Sequence, residues 1–527
     1  MVSPSSHAPE QSPPRKSKTL LLRLFLWIKQ FLDKRKLPYV ANQACRVYFG
    51  KEKSSRRKCQ SILQTRIELD GQQLKHFLQT SIGRRLLAIL SPLFHFPDQP
   101  NSAHGLQKIF LDMAGRPEGI SLLHLLRLVP ERLQINIDQL MMMAGKIEHL
   151  VKHTNQLLSE VKAIATETID VAQVERFAEL PDLRESGKYD VLVDELEGVA
   201  ETLLYRPDKL PEQTSVIALS HGLGGMPETL EAFAIHLASH GYLVVAPHHQ
   251  GSNSDRLKLM LQGEVDEVFP FSEFGDRPHR ISAILDQLER LNYKQFAGKL
   301  NLTEVGVMGH SFGAYTALSL AGATIQFDHL ELACGDNSKD PNISLLLQCQ
   351  ALGFQHELQD LNDPRVSCIC VWDFVGSEIF GQTGLTPVNV PVMAIAGSHD
   401  ITTPFALEQI RLFQWLQAQK KYLVVMEGKP HVQNLRKWSE AAGLKITVTA
   451  PHKPSVSETM FTQNIQALSL AFFNRYLLGS TEHTEYLCAD YGAYLGRSPN
   501  HIYLLTHKEW ENFLNQQQLI PSTAEKN

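Results

Sequence analysis

Val305-Gly306-Val307-Met308-Gly309-His310-Ser311-Phe312-Gly313-Ala314 is the stretch whose reading decides the fold. An apolar run of strand character ends in Gly-x-Ser-x-Gly and passes directly into the helix-forming run Tyr315 to Ala321. Strand, sharp turn and helix are the context in which a serine is held out as a nucleophile. Such a turn strains its central residue and needs small neighbours, which Gly309, Gly313 and Ala314 are. Ser311 would then project from the carboxyl end of a central strand, near the positive end of the next helix. A glycine-rich turn with an incidental serine is the plainer reading, and the surrounding residues decide between the two.

Beyond about Val174, strand-like runs alternate with helical ones. Strands are expected at Val216–Leu219, Tyr242–Ala246, Val305–Met308, Val366–Trp372, Val392–Ala396 and Tyr422–Met426, with helices at Glu228–Ala238, Arg280–Leu291 and Pro404–Gln417. This alternation implies a mostly parallel sheet covered on both faces. In such sheets ligands bind beyond the carboxyl ends of the strands.

Those loops carry the chemistry. Ser220-His221-Gly222-Leu223-Gly224-Gly225 follows the first of these strands. Acyl transfer develops negative charge on a carbonyl oxygen, which preorganised N–H groups stabilise. Leu223 and Phe312 are the candidate oxyanion donors, with His221, Gly222, Gly309 and Gly313 supporting the two turns. A phosphate-cradling loop would need Gly-Lys-Ser/Thr or the Rossmann glycine spacing, and neither follows. Asp400 ends the apolar strand Val392–Ala396 and its turn, and His431 follows the next strand. The chain order Ser, Asp, His is the one this architecture requires. Among 22 histidines, His221 and His310 belong to motif frames, His399 would point away, and His452 is the runner-up base. Ser311, Asp400 and His431 are the candidate catalytic residues, and the chemistry needs no metal and no cofactor.

The net charge of −5 argues against an electrostatic nucleic-acid binder. Seven cysteines show no zinc spacing, and an odd, sparse count suits a reducing compartment. Cys368 and Cys370 alternate toward one face and read as core. A Cys334–Cys349 bridge would suit an exported protein. Residues 1–18 read as a disordered basic tail. Thr19 to Leu32, within 19–37, is too short and too charged to span a membrane and reads as an amphipathic helix. Through residues 19–36 it would rest on an anionic membrane surface; a helix docked on the protein itself or a degenerate export signal are the alternatives. Location is therefore open between the cytoplasm, the membrane periphery and export. Residues 40–172 read as a helical accessory domain, 174–480 as the catalytic domain and 481–527 as a C-terminal extension. Residues 322–363, with a Leu-rich run from Ile343 to Leu352, and Leu257 to Phe274 leave the carboxyl edge as lid-like connections or surface decoration.

Several motifs together resemble a known family: LSHGLGG from Leu219, LASHGYLVVAPHHQGS from Leu237, FGDRPHRISAILDQLERL from Phe274, GHSFGAY from Gly309, LNDPRV from Leu361, IFG from Ile379 and VPVMAIAGSHDITTP from Val390. In register, they resemble the α/β-hydrolases of the platelet-activating factor acetylhydrolase group and bacterial relatives often labelled dienelactone hydrolases. The resemblance implies an α/β-hydrolase fold with an N-terminal all-α accessory region. It implies nucleophile Ser311, acid Asp400, base His431 and oxyanion donors Leu223 and Phe312. The upstream FLQTSIGRRLLAIL and MAGRPEGISLLHLLRLVP resemble an uncharacterised helical domain that precedes such hydrolases in some bacteria. Three departures stand out: His279-Arg280 after Arg-Pro, Trp372-Asp373-Phe374 near the acyl pocket, and Lys429-Pro430-His431-Val432 around the base. A serine carboxylic-ester hydrolase acting on acyl lipids or related esters is the expectation. A thioesterase or peptidase on the same triad, or an inactive membrane-associated binding protein, are the alternatives.

Overall fold

The computed structural model describes residues 66–68, 71–96, 102–113, 134–199, 201–335, 341–357, 360–432, 445–447, 456–498 and 500–518. The tail 1–18, the amphipathic segment 19–37, most of the MAGRPEGISLLHLLRLVP motif and His452 lie outside the described residues.

Helices α1 (Gly71–Gln79), α2 (Ser81–Leu90) and α3 (Ser102–Met113) share a small core of Leu74, Leu78, Leu87 and Leu106. Thr80 starts α2 by accepting the Gly83 N–H on its hydroxyl at 3.0 Å. Helix α4 runs from Ile137 to Glu167, started by the Asn136 side chain, which accepts from the Gln139 N–H. These helices lean on both long connections, 257–274 and 322–363. Ser81 binds the Glu267 carboxylate, and Arg85 donates to the Cys334 carbonyl at 2.9 Å.

The rest of the described chain is built on a nine-stranded sheet. In chain order its strands are β1 (Val191–Glu195), β2 (Thr202–Pro207), β3 (Thr214–Ser220), β4 (Leu243–Pro247), β5 (Leu300–His310), β6 (Val366–Trp372), β7 (Val392–Gly397), β8 (Lys421–Met426) and β9 (Ile502–Thr506). In space they run β9-β8-β7-β6-β5-β3-β4-β2-β1. The six from β8 to β4 are parallel, while β2, β1 and β9 join antiparallel at the edges. Every residue of β3, β4 and β7 is buried, as expected of interior parallel strands covered on both faces.

Alternate side chains feed two cores. Val216 and Ala218 face one, with Ile281, Ile284, Leu285 and Leu288 of α6, where α5 is Glu231–Ser239 and α6 is Glu273–Gln295. Ile217 and Leu219 face the other, with Ile465, Leu468, Phe472 and Phe473 of the helix Val456–Tyr476. Gly306 is needed inside β5 because a Cβ there would lie 2.8 Å from the Phe473 ring. Cys368 and Cys370 are fully buried between these layers.

Two expectations change, and the open question of the Cys334–Cys349 bridge is answered. Residues 481–527, read as an extension, supply β9, which pairs with β8 and closes that edge of the sheet. Cys334 and Cys349 are joined in a disulfide across a sequence separation of 15, which staples the helix Phe327–Gly335 to the second half of the 322–363 connection. That connection otherwise holds a short helix, Leu345–Gln348, and a 3-10 segment, Cys349–Glu357, over the Leu-rich run. The helix expected at Pro404–Gln417 is a π-helical turn, Phe405–Ile410, running into Arg411–Trp415.

Candidate active site

The chain reverses its direction of sheet growth at β3, whose neighbours are β4 and β5. The loops after β3 and β5 therefore leave from adjacent strands at the switch point, the place where α/β sheets open a ligand crevice.

Ser311 sits at the turn between β5 and α7 (Phe312–Leu320) with φ 55° and ψ −113°. That is a sparsely populated conformation for a residue with a side chain, held by its surroundings. A Cβ at Gly309 would lie 2.1 Å from the Gly313 carbonyl oxygen, and one at Gly313 would lie 1.9 Å from that of Ser220. The Ser311 N–H donates to the Trp372 carbonyl at 3.1 Å, tying the turn to the end of β6.

His431 follows β8. Its Nε2 lies 3.0 Å from the Ser311 hydroxyl, and its Nδ1 lies 2.7 Å from Asp400 Oδ2. The Asp400 carboxylate is buried and fully engaged. It accepts from the N–H groups of Thr402 and Thr403, from the Thr403 hydroxyl and from the Gln409 amide. Burial works against protonation of His431, but the charge and hydrogen bond of Asp400 outweigh it, with Asp373 adding to the same effect. The imidazole pKa is raised. Such a succession can carry a proton from a hydroxyl to an imidazole whose tautomer and orientation are already set.

Three residues that the sequence marked only within a motif frame or as departures from the family pattern lie beside His431. Asp373 follows β6 and pairs with Lys429, both side chains wholly buried. Asp373 Oδ2 also lies 3.4 Å from His310 Nε2, and the His310 ring sits 5.1 Å from that of His431. Burial opposes ionisation of Asp373, yet Lys429 and His310 hold its pKa below the usual value. Burial lowers that of His310. The signal available in the sequence was a charged residue closing an apolar strand, SCICVWD, and a lysine two positions before the base. His310, Asp373 and His431 offer ligand atoms within 4.8 Å of one another. This set does not suit a cation: Lys429 already brings a positive charge to Asp373, and both His431 nitrogens are engaged.

Leu223 lies in the loop after β3 and Phe312 opens α7. Neither backbone N–H has an acceptor among the described residues. His221 is buried in that loop, with its pKa well below the ordinary value because of burial and the nearby Arg277 charge. His399, beside Asp400, is exposed. The floor beneath Phe312 is aromatic: Phe269, Phe274, Tyr315 and Phe312 have ring centroids 5.0–5.9 Å apart, and Phe380 stacks on Tyr315.

A mostly parallel sheet covered on both faces, with this elbow at its switch point, defines an α/β-hydrolase fold. A family model described as an alpha/beta hydrolase of unknown function matches residues 40–138. One described as platelet-activating factor acetylhydrolase, isoform II, matches residues 195–268. Together they support an α/β-hydrolase of the platelet-activating factor acetylhydrolase-like group, and hence a hydrolase. No curated protein matches the chain. The second match contains Leu223 but stops short of Ser311, Asp400 and His431, so their roles rest on geometry.

Proposed function

We propose that the chain is a serine carboxylic-ester hydrolase acting on acyl lipids or related esters. The observation that carries this reading is the Ser311–His431–Asp400 succession at 3.0 and 2.7 Å, set at the carboxyl edge of the sheet. Ser311 Oγ attacks the ester carbonyl carbon while its proton passes to His431 Nε2. Asp400 accepts from Nδ1–H, holds that tautomer and stabilises the imidazolium. The oxyanion accepts from the Leu223 and Phe312 N–H groups. The imidazolium then protonates the leaving alkoxide. Water, deprotonated by the same nitrogen, attacks the acyl-enzyme and releases the acid and free Ser311.

An apolar acyl group is supported by the side chains on the loops around this edge. Ile401, next to Asp400, is exposed, as are Phe271 and Ile343 on the two connections. The accessory helices brace both connections through Ser81 and Arg85.

The test is intact-mass labelling with a serine-reactive fluorophosphonate, wild type against Ser311→Ala, followed by a panel of esters of rising acyl length. The panel includes a thioester and an amide. One adduct on the wild type, none on the variant, and turnover that rises with acyl length are expected. A folded wild type that takes no adduct, with or without detergent, sinks the proposal; faster cleavage of the thioester or amide moves it to another bond.

A further inference from the structure

We infer that Arg277 is the positioning residue of the oxyanion hole, one buried guanidinium holding both chain segments that present the donors. The inference rests on the ester-hydrolase reading above.

Arg277 lies on α6, with its side chain entirely shielded. Its Nη1 donates to the His221 carbonyl at 2.7 Å. Its Nε and Nη2 donate to the Ser252 hydroxyl at 3.0 and 2.8 Å, and the Ser252 carbonyl accepts the Gly224 N–H at 2.8 Å. The loop that carries Leu223 is thus gripped on either side of that residue. The central carbon of the same guanidinium lies over the Phe312 ring, 4.3 Å from its centre, a buried cation–π contact. Phe312 carries the other donor. Glu273, paired with Arg277 at 3.3 Å, supplies the countercharge. Burial pushes the Arg277 pKa down to about 10, with Glu273 opposing the shift, so the group is charged at neutral pH.

The grip matters because the loop also fixes which way one peptide faces. The His249 N–H donates to His221 Nε2 at 3.1 Å, which places the His221 proton on Nδ1. Nδ1–H donates to the Gly222 carbonyl at 2.8 Å, and the Gly225 N–H donates to it at 3.1 Å. In a trans peptide the C=O and N–H point in opposite directions. With the Gly222 carbonyl pinned twice, the Leu223 N–H of that peptide is turned the other way and cannot flip without breaking both bonds. Gly222 itself lies against the nucleophile, since a Cβ there would be 3.2 Å from the Ser311 Cβ. Arg277 is the anchor of this frame, because it fixes the His221 backbone from which the imidazole reaches forward.

The experiment uses the full chain as wild type, Arg277→Met and Arg277→Lys. Fluorophosphonate labelling counts competent Ser311 in each, and kcat and KM on a soluble short-chain ester are expressed per labelled site. Affinity for a trifluoromethyl ketone, which forms a tetrahedral oxyanion adduct, is measured in parallel. For Arg277→Met we expect kcat per labelled site to fall roughly a hundredfold, as for loss of an oxyanion donor, with ketone affinity falling in step and KM little changed. Arg277→Lys retains the charge but not the fork, so it should fall between the two. A buried ion pair of purely structural use would reduce the number of labelled sites and leave kcat per site alone, and that result overturns the inference. Should Arg277→Met not fold, a wild-type kcat per site in Arg277→Lys overturns it equally. A wild type that takes no adduct and hydrolyses nothing refutes the hydrolase reading itself, and the inference with it.

Discussion

Replacing Lys429 by methionine removes a charge from beside His431, the proposed base, while retaining most of the side chain's volume. Lys429 and Asp373 are both wholly buried and face one another. Without the ammonium, Asp373 becomes a buried carboxylate with His310 Nε2 at 3.4 Å and an Oδ1 that already has no partner among the described residues. Removing one member of such a pair costs about 3–5 kcal/mol, against a total stability on the order of 5–15 kcal/mol. The variant should therefore unfold at markedly lower urea. The electrostatic consequence has a definite sign. In the wild type, Asp373 raises and Lys429 lowers the proton affinity of His431. Loss of Lys429 leaves the raising charge alone. Protonated His431 cannot accept the Ser311 proton, so kcat/KM, which declines as pH falls through the His431 pKa, should begin its decline at a higher pH. The assay is the urea midpoint together with the acid limb of the pH–rate profile. Asp373→Leu combined with Lys429→Met removes both charges and should recover much of the lost stability. A Lys429→Met protein with a wild-type midpoint and an unmoved acid limb would refute the buried pairing.

Other perturbations probe neighbouring parts of the site. Gly313→Ala puts a Cβ 1.9 Å from the Ser220 carbonyl oxygen; the overpacking should cost about 1–3 kcal/mol, and a shift of roughly 1 Å between elbow and oxyanion loop should lower kcat about a hundredfold. Wild-type kinetics in that variant would mean that the two loops are not apposed. Asp400→Asn should keep the fold and the serine in place yet lose about ten-thousandfold in kcat, since the amide favours the wrong imidazole tautomer. Its remaining activity should show an acid limb at lower pH than the wild type, because Asp400 is the chief group raising the His431 pKa. Replacing Cys334 and Cys349 together by serine opens a loop of separation 15 and should cost about 3 kcal/mol; thermal melts under non-reducing conditions measure it, and an unchanged melting temperature counts against the bridge.

Much of this site was legible in the sequence because its signals are local. A strand, a Gly-x-Ser-x-Gly turn and a helix need only neighbouring residues, and β3, β5, β6, β7 and β8 announce themselves as continuous apolar runs because both their faces are covered. The order Ser311, Asp400, His431 follows from strands whose carboxyl ends lie on one side of a parallel sheet. Edge strands were harder to find. β1 is mostly exposed and β9 stands far along the chain, so each becomes a strand by pairing, β1 with β2 and β9 with β8. The Cys334–Cys349 bridge likewise depends on a fold-back of the connection that no spacing announces.

By itself the sequence determined the fold class, the elbow and the chain order of the three candidate catalytic residues, since each is written in short-range pattern and polarity. Tertiary structure alone decided what surrounds them. It set Lys429 against Asp373 beside His431, and it set Arg277 between the His221 carbonyl and the Phe312 ring. Those contacts join residues dozens of positions apart, and a buried charge declares its role only when its partner can be seen.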